Sequence, residues 1–392
     1  WWKRALACLC RLPGTQYDAA GRAVPDFGFT PKRGRYRTDR ELARGGMGII
    51  HAVNDLDLGR TSAMKVALPA ILRQAENAER FVNEARITAR LEHPNIVPVH
   101  DIGFSREHAL FFTMKLIEGE PLDEILARIA KNQGDYGSRY DLHELLVILR
   151  KVCDAIAFAH SQNIAHLDIK PENIMVGQYG EVLVMDWGIA QPIRPPQPGE
   201  PAAVLPLYGT PKRGEIKGTP SYMAPEQATG SSDLIDERTD VFLLGACLYH
   251  MLALCPPYPS GDTDAVLKLA ARGDITPPDR ANPARQIPEE LSAIVMKALA
   301  PNRADRYASV AALTQDIDRF MAGRMLTQQR AFIPGEIMMR EGEQGMEAYV
   351  LLTGQVVVTK RTSSGQQQIA LLGPGDIVGE MALITHEPRS AT

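Results

Sequence analysis

Two hydrophobic periods divide this chain, and they restrict its fold more than any single residue does. From Tyr36 to about Ile117, short apolar runs alternate with turns, as strands do. One amphipathic segment, Ala75 to Leu91, interrupts them, so the stretch reads as a small sheet with one helix. From Pro121 to Phe320 the apolar residues recur mainly at helical spacing. Leu142 to His160 and Val241 to Leu254 are the long helices there. Asn173 to Val176 and Val182 to Met185 are short strands between them. Past Phe332 strand-like runs return at Ala348 to Leu352, Gln355 to Lys360 and Gln368 to Leu372, separated by glycine-containing turns. The chain is therefore α+β, with a boundary near 321–330 and no internal repeat.

Two segments resist regular structure. Residues 1–35 are punctuated by Pro13-Gly14, Gly21, Pro25, Gly28, Pro31 and Gly34 and read as loop. Residues 191–211 carry Pro192, Pro195, Pro196, Pro198, Pro201, Pro206 and Pro211. Proline fixes φ and lacks an N–H, so an exposed, mobile loop is expected rather than helix or central strand.

Composition excludes several classes of function. With 392 residues, 45% of them hydrophobic, the chain can hold more than one packed domain. A net charge of −4 gives no electrostatic case for nucleic acid as a partner. Five cysteines at this length form no disulfide framework, and the usage fits a reducing cytoplasm. Cys153, Cys247 and Cys255 lie in apolar helical patterns and read as buried thiols. Cys8 and Cys10 lack the second ligand pair of a zinc site. The apolar segment Trp1 to Leu12 is too short to span a bilayer. Val241 to Pro257 is interrupted by His250 and reads as a buried core helix. The sequence starts at Trp1 without methionine and stops at Thr392 inside a motif, so a fragment of a longer chain is expected.

The chemistry begins at Leu42-Ala43-Arg44-Gly45-Gly46-Met47-Gly48-Ile49-Ile50. A glycine-rich turn lets backbone N–H groups approach phosphate oxygens with no Cβ in the way. By itself a bare hairpin turn explains it equally well. Ser62-Ala63-Met64-Lys65-Val66 follows, and a lysine inside an apolar strand needs a partner for its charge. Glu84, in the amphipathic segment, is suitable. The specific signal is His166-Leu167-Asp168-Ile169-Lys170-Pro171-Glu172-Asn173 followed by Met185-Asp186-Trp187-Gly188. Two acids and an amide at these spacings can hold magnesium and orient a hydroxyl, which is most of what phosphoryl transfer asks of a protein.

With these residues in order, the stretch from about 36 to 320 resembles the bacterial eukaryotic-like (Hanks-type) serine/threonine protein kinases. The resemblance implies a two-lobed kinase domain over 36–322, with a β-rich N-lobe at 36–117 and an α-rich C-lobe at 118–322. Residues 1–35 would precede it as an extension. It implies that Gly45, Gly46 and Gly48 cover the ATP phosphates, and that Ile50 and Ala63 also bind the nucleotide. Lys65 would bind the α- and β-phosphates and pair with Glu84. Met114 resembles the gatekeeper, and the backbone of Lys115 and Ile117 would hold the adenine. Asp168 matches the catalytic base, Lys170 the cation facing the γ-phosphate, and Asn173 and Asp186 the Mg2+ ligands. Gly218-Thr219-Pro220 and Ala224-Pro225-Glu226 resemble the substrate-docking end of the activation segment, where the Thr219 hydroxyl would touch the catalytic loop. Arg306 would pair with Glu226, and Asp240 would brace the catalytic loop.

Three residues depart from the family pattern. Ala43 replaces the first loop glycine, and Trp187 a phenylalanine. Leu167 replaces the arginine that would hold a phosphorylated activation loop. Activity is accordingly expected to depend less on phosphorylation at sites such as Thr210.

A second module carries Gly373-Pro374-Gly375-Asp376-Ile377-Val378-Gly379-Glu380-Met381-Ala382-Leu383 and then Arg389-Ser390-Ala391-Thr392. Free N–H groups opening a short helix can hold an anion, and an arginine can take two phosphate oxygens. With Phe332 to Glu336, Glu341 to Glu343 and Tyr349 to Val356, the segment 327–392 resembles a partial cyclic-nucleotide-binding β-roll. That resemblance implies Glu380 on the ribose 2′-hydroxyl and Arg389 on the cyclic phosphate of cAMP or cGMP. Gly379, Met381, Ala382 and Ser390 would assist them. The expected enzyme is a cytoplasmic kinase that uses Mg-ATP on serine or threonine of protein substrates and, in the intact protein, is regulated by a cyclic nucleotide. A pseudokinase scaffold and a cyclic-nucleotide sensor without catalysis are the alternatives.

Overall fold

β-Branched and small apolar residues alternating along Gly48–Asp55 and Arg60–Ala67 build the centre of a five-stranded antiparallel sheet. Its strands are β1 (Tyr36–Arg44), β2 (Gly48–Asp55), β3 (Arg60–Ala67), β4 (Val99–Phe104) and β5 (Leu110–Lys115), in spatial order β1-β2-β3-β5-β4. The computed structural model describes residues 14–17, 23–26, 34–73, 75–104, 109–194, 214–258, 261–326, 331–343, 348–351, 353–362, 365–379 and 388–392. Cys8, Cys10, residues 195–211, Glu380, Met381 and Ala382 lie outside them. Gly14–Tyr17 and Ala23–Asp26 pair as a hairpin, which corrects the reading of 1–35 as loop throughout. Gly14 and Pro25 stand inside these two short strands, and such residues signal loop in a sequence.

The alternation of β3 puts Ala63, Lys65 and Ala67 on one face and Ser62, Met64 and Val66 on the other. Ala67 packs with Phe81, Val82 and Ala85 of the helix Ala75–Arg90, while Met64 packs with Val53 and Phe111 across the sheet. The helix buries Ala78, Phe81, Val82 and Ala85, spaced at three to four residues, and this periodicity sets the face it lays on the sheet.

The C-lobe core forms around the helices Leu142–Ser161 and Glu237–Ala253. Asp141 caps the first by accepting from the Glu144 N–H at 2.9 Å, and Asp236 caps the second through the Arg238 N–H at 2.8 Å. The second helix starts four residues before the apolar run read from sequence, because its first turn is polar and capped. It is buried nearly all round, and among the described residues no helix is long and apolar enough to cross a membrane. Cys153 and Cys247 are buried as expected, whereas Cys255 is only partly so.

Two compact units make up the chain, Trp1–Met325 and Leu326–Thr392. In the second, Val356–Thr362 pairs antiparallel with Gly365–Leu372, and Tyr349–Val350 with Ile377–Val378. Only Leu351 and Arg389 are buried among its described residues.

Candidate active site

The cleft is built from three local devices. The first is the row of residues that sheet register aligns. Lys65 pairs with Ile50 on β2 and Phe112 on β5, while Ala63 pairs with Ala52 and Met114. These side chains share the face on which the helix packs. Lys65 Nζ donates to Glu84 Oε1 at 2.5 Å. Burial disfavours the Lys65 ammonium, but Glu84 and Asp186 outweigh it and hold its pKa above the ordinary lysine value. The ammonium is therefore charged in the cleft. Burial pushes the Glu84 carboxyl up despite Lys65, and Glu84 Oε2 has no hydrogen-bond partner among the described residues.

Above this row, Gly45 N–H donates to Gly48 O at 2.9 Å and closes the turn between β1 and β2. The glycines there differ in what they serve. A Cβ on Gly48 would come within 2.6 Å of the Val66 carbonyl oxygen, so strand packing alone excludes a side chain. A Cβ on Gly45 or Gly46 would meet nothing within 4 Å. The chain's own packing does not require those two glycines, which stand beside open space.

The second device is a hairpin. Ile174–Gly177 pairs with Val182–Val184, and Met185 N–H donates to Asn173 O at 2.9 Å. Asn173 and Asp186 are thereby set at the two ends of one hairpin. Asn173 Nδ2 donates to the Asp168 carbonyl at 2.8 Å and to its Oδ2 at 3.1 Å. Asp186 adopts a left-handed φ of 61° and its side chain is exposed to the cleft. An amide oxygen and a carboxylate are hard oxygen donors of the type Mg2+ takes, which leaves its other positions to phosphate and water. No group of three or more acidic, His or Cys ligands forms among the described residues. The donor set thus fits a metal held jointly with a nucleotide rather than a closed protein cage. Trp187 is fully buried and lies against His166 with ring centroids 4.5 Å apart.

The third device is the loop that carries Asp168. Its carboxylate accepts from Thr219 Oγ1 at 2.8 Å and lies 3.0 Å from Lys170 Nζ. Lys170 Nζ also donates to Thr219 Oγ1 at 2.6 Å, so the three side chains form a closed triangle. The loop is held from below by Asp240, which accepts from the His166 N–H at 2.8 Å and the Leu167 N–H at 2.9 Å. His160 Nε2 lies 2.8 Å from the same carboxylate. Burial alone would push the Asp240 carboxyl up. The His160 hydrogen bond, His166 and the Leu167 N–H reverse this and hold it below its ordinary value. Leu167 is 4% exposed with φ 68°, so an apolar side chain fills the site of the absent arginine.

Met114 is partly buried at the end of β5. Beyond it the Lys115 N–H is taken by the Pro98 carbonyl at 3.0 Å, and no described protein acceptor takes the Ile117 N–H. Arg306 makes a bidentate pair with Glu226 at 2.7 and 2.9 Å. In the second unit, Arg389 Nη1 donates to the Gly379 carbonyl at 2.5 Å.

The residue reading missed Gln227 and His160. Gln227 Nε2 donates to the Leu167 carbonyl at 2.8 Å and the Lys217 carbonyl at 3.3 Å, tying two loops together. Its only sequence signal is an amide just inside a proline-started turn. His160 resembles any polar residue ending a helix.

Two family models match the chain: the protein kinase domain over residues 36–317 and the cyclic nucleotide-binding domain over 329–392. The serine/threonine-protein kinase PknD of Protochlamydia amoebophila is 32% identical over 342 residues, 84% of this chain and 34% of its own length. PknD of Chlamydia trachomatis serovar D is 35% identical over 302 residues, 74% of this chain and 32% of its own. PknD of Chlamydia caviae is 35% identical over 306 residues, again 74% of this chain. The chain thus spans about a third of the length of these curated relatives. With the kinase match covering both lobes and the cleft between them, the chain belongs to the protein kinase family.

Proposed function

We propose that the chain transfers the γ-phosphate of ATP to serine or threonine hydroxyls of proteins. The observation that carries this is the Asp168–Lys170–Thr219 triangle, set beside Asn173 in the same cleft as the charged Lys65. A substrate hydroxyl placed against Asp168 gives up its proton there as its oxygen bonds to the γ-phosphorus, and the bond from that phosphorus to the β,γ-bridging oxygen breaks, with ADP leaving. Lys170 offsets the charge that develops on the transferred group. Lys65 orients the nucleotide phosphates. Asn173 and Asp186 would hold Mg2+, which supplies charge neutralisation across the phosphates. Ile50, Ala63 and the backbone at Lys115 and Ile117 would bind the adenine.

We further propose that in the intact protein the region containing the Leu326–Thr392 unit binds a cyclic nucleotide, with Arg389 taking the phosphate. Bound nucleotide would then bias the kinase between two states, a coupling that requires different affinities in each. Equal phosphotransfer by the intact protein with and without saturating cAMP or cGMP would count against this part alone.

The central test is transfer of radiolabelled phosphate from Mg-ATP to a generic basic protein, comparing wild type with Asp168→Ala. Transfer by the wild type and loss of at least a hundredfold in the variant are expected. No transfer by either protein, with ATP binding intact, would replace this reading by the pseudokinase scaffold.

A further inference from the structure

An ion pair outside the cleft joins the two lobes. Arg80 lies on the helix Ala75–Arg90, one turn before Glu84. Its Nη2 donates to Glu215 Oε1 at 2.9 Å, across 135 residues of sequence. The second carboxylate oxygen of Glu215 faces Lys217 Nζ at 2.9 Å. Both oxygens of one carboxylate are thus engaged by cations, one from each lobe.

The stretch that carries Glu215 is fastened to the C-lobe on both sides. Before it, Gly214 N–H donates to the Gly230 carbonyl at 2.9 Å. After it, Gln227 holds the Lys217 carbonyl, and Thr219 is in the triangle with Asp168 and Lys170. Gly218 makes this path feasible. Its φ is 119°, and a Cβ there would crowd Gln227 and the Leu167 carbonyl at 3.3 Å each. Glu215 is therefore a fixed post on the C-lobe, four residues from the hydroxyl that touches Asp168. Arg80 is the matching handle on the helix that presents Glu84 to Lys65.

We propose that Glu215 is a positioning residue. Its carboxylate clamps the Ala75–Arg90 helix to the segment 214–219 and so aligns the Lys65–Glu84 pair with the Asp168–Thr219 pair, with no phosphate group on that segment. The proposal rests on the kinase reading for its effect on catalysis. Electrostatics support it: burial pushes the Glu215 carboxyl up, but Lys217 and Arg80 more than compensate and hold it below its ordinary value. The carboxylate is therefore ionised at neutral pH and serves as a permanent, encoded anion. Leu167 provides no cation at the loop below, and the cations that meet this anion come instead from Arg80 and Lys217.

The test is a double-mutant cycle of Arg80→Gln and Glu215→Gln, with Glu215→Asp as the conservative variant, in the full 392-residue chain. Partly exposed pairs are worth little in stability, so thermal unfolding should barely move. Phosphotransfer should respond more. Each single variant is expected to lower kcat about fivefold, the double variant no further than either single, and Glu215→Asp to recover part of the loss. A kcat for Glu215→Gln within twofold of wild type, or singles that multiply in the double, would overturn the proposal. Amide hydrogen exchange across residues 75–90, measured without nucleotide, gives a readout independent of turnover. Glu215→Gln should raise exchange there severalfold. If the wild type transfers no phosphate, the kinase reading falls, and exchange still decides the clamp. Unchanged exchange in Glu215→Gln rejects the clamp under either result.

Discussion

Arg306→Met should destabilise the kinase unit by about 4 kcal/mol, within the range for breaking a buried ion pair from one side. The Arg306 and Glu226 side chains are 0% and 2% exposed. Arg306 also donates to the carbonyls of Ala300, Arg238 and Pro301 and lies over the Phe242 ring at 4.8 Å. Methionine keeps most of that volume but leaves the Glu226 carboxylate buried with Thr239 Oγ1, at 2.8 Å, as its remaining partner among the described residues. Glu226→Gln keeps the shape and that hydroxyl contact and removes only the anion, so about 2 kcal/mol is expected. The double variant removes both charges together and should cost about 3 kcal/mol, not the sum, which makes the coupling about 3 kcal/mol. Urea unfolding followed by helical circular dichroism reads this unit, because all described helices lie at or before Leu326. The slope with urea should stay constant across the set if only stability changes. A cost below about 1 kcal/mol for Arg306→Met, or additive singles, would refute the argument that the pair is dry and mutually dependent.

The glycine turn yields a contrast between two neighbours. Gly48→Ala should destabilise the N-lobe by about 1–3 kcal/mol, since its Cβ would strike the Val66 carbonyl. Gly46→Ala should leave thermal unfolding unchanged while raising the KM for ATP; equal melting losses in both variants would contradict a packing requirement confined to Gly48. His250 predicts a pH dependence. It is neutral, 2.7 Å from the Tyr222 hydroxyl, and burial pulls its pKa down to about 4. Its folded value lies below the unfolded value of roughly 6.5, so the unfolded chain takes up the proton first as pH falls. Its contribution is full above pH 6.5 and declines by up to about 3 kcal/mol between pH 6.5 and 4. His250→Gln should flatten that part of the stability curve, and an unchanged slope in this variant would reject the assignment.

The hydrophobic periods made the sheet, the Ala75–Arg90 helix and the two long C-lobe helices legible, because period follows directly from which face is buried. The helix from Glu237 was read short because its first turn is held by a cap rather than by apolar spacing. Lys65 and Glu84 were recognisable because a lysine in an apolar strand needs a partner, and the distance of 2.5 Å places them together. The order of Asp168, Lys170, Asn173 and Asp186 marked the chemistry by residue type. Their convergence depended on the Ile174–Val184 hairpin and on the turn brought over by Thr219.

What the sequence alone determined was the set of local choices: strand or helix, glycine or side chain, acid or amide at a given spacing. Only tertiary structure decided that Glu215 meets Arg80, that Gln227 bridges two loops, and that Gly48 rather than Gly46 is demanded by packing. These are contacts between residues far apart in the chain. A charge or a glycine carries no local mark of its distant partner, so it becomes specific only when two elements are packed at a fixed distance.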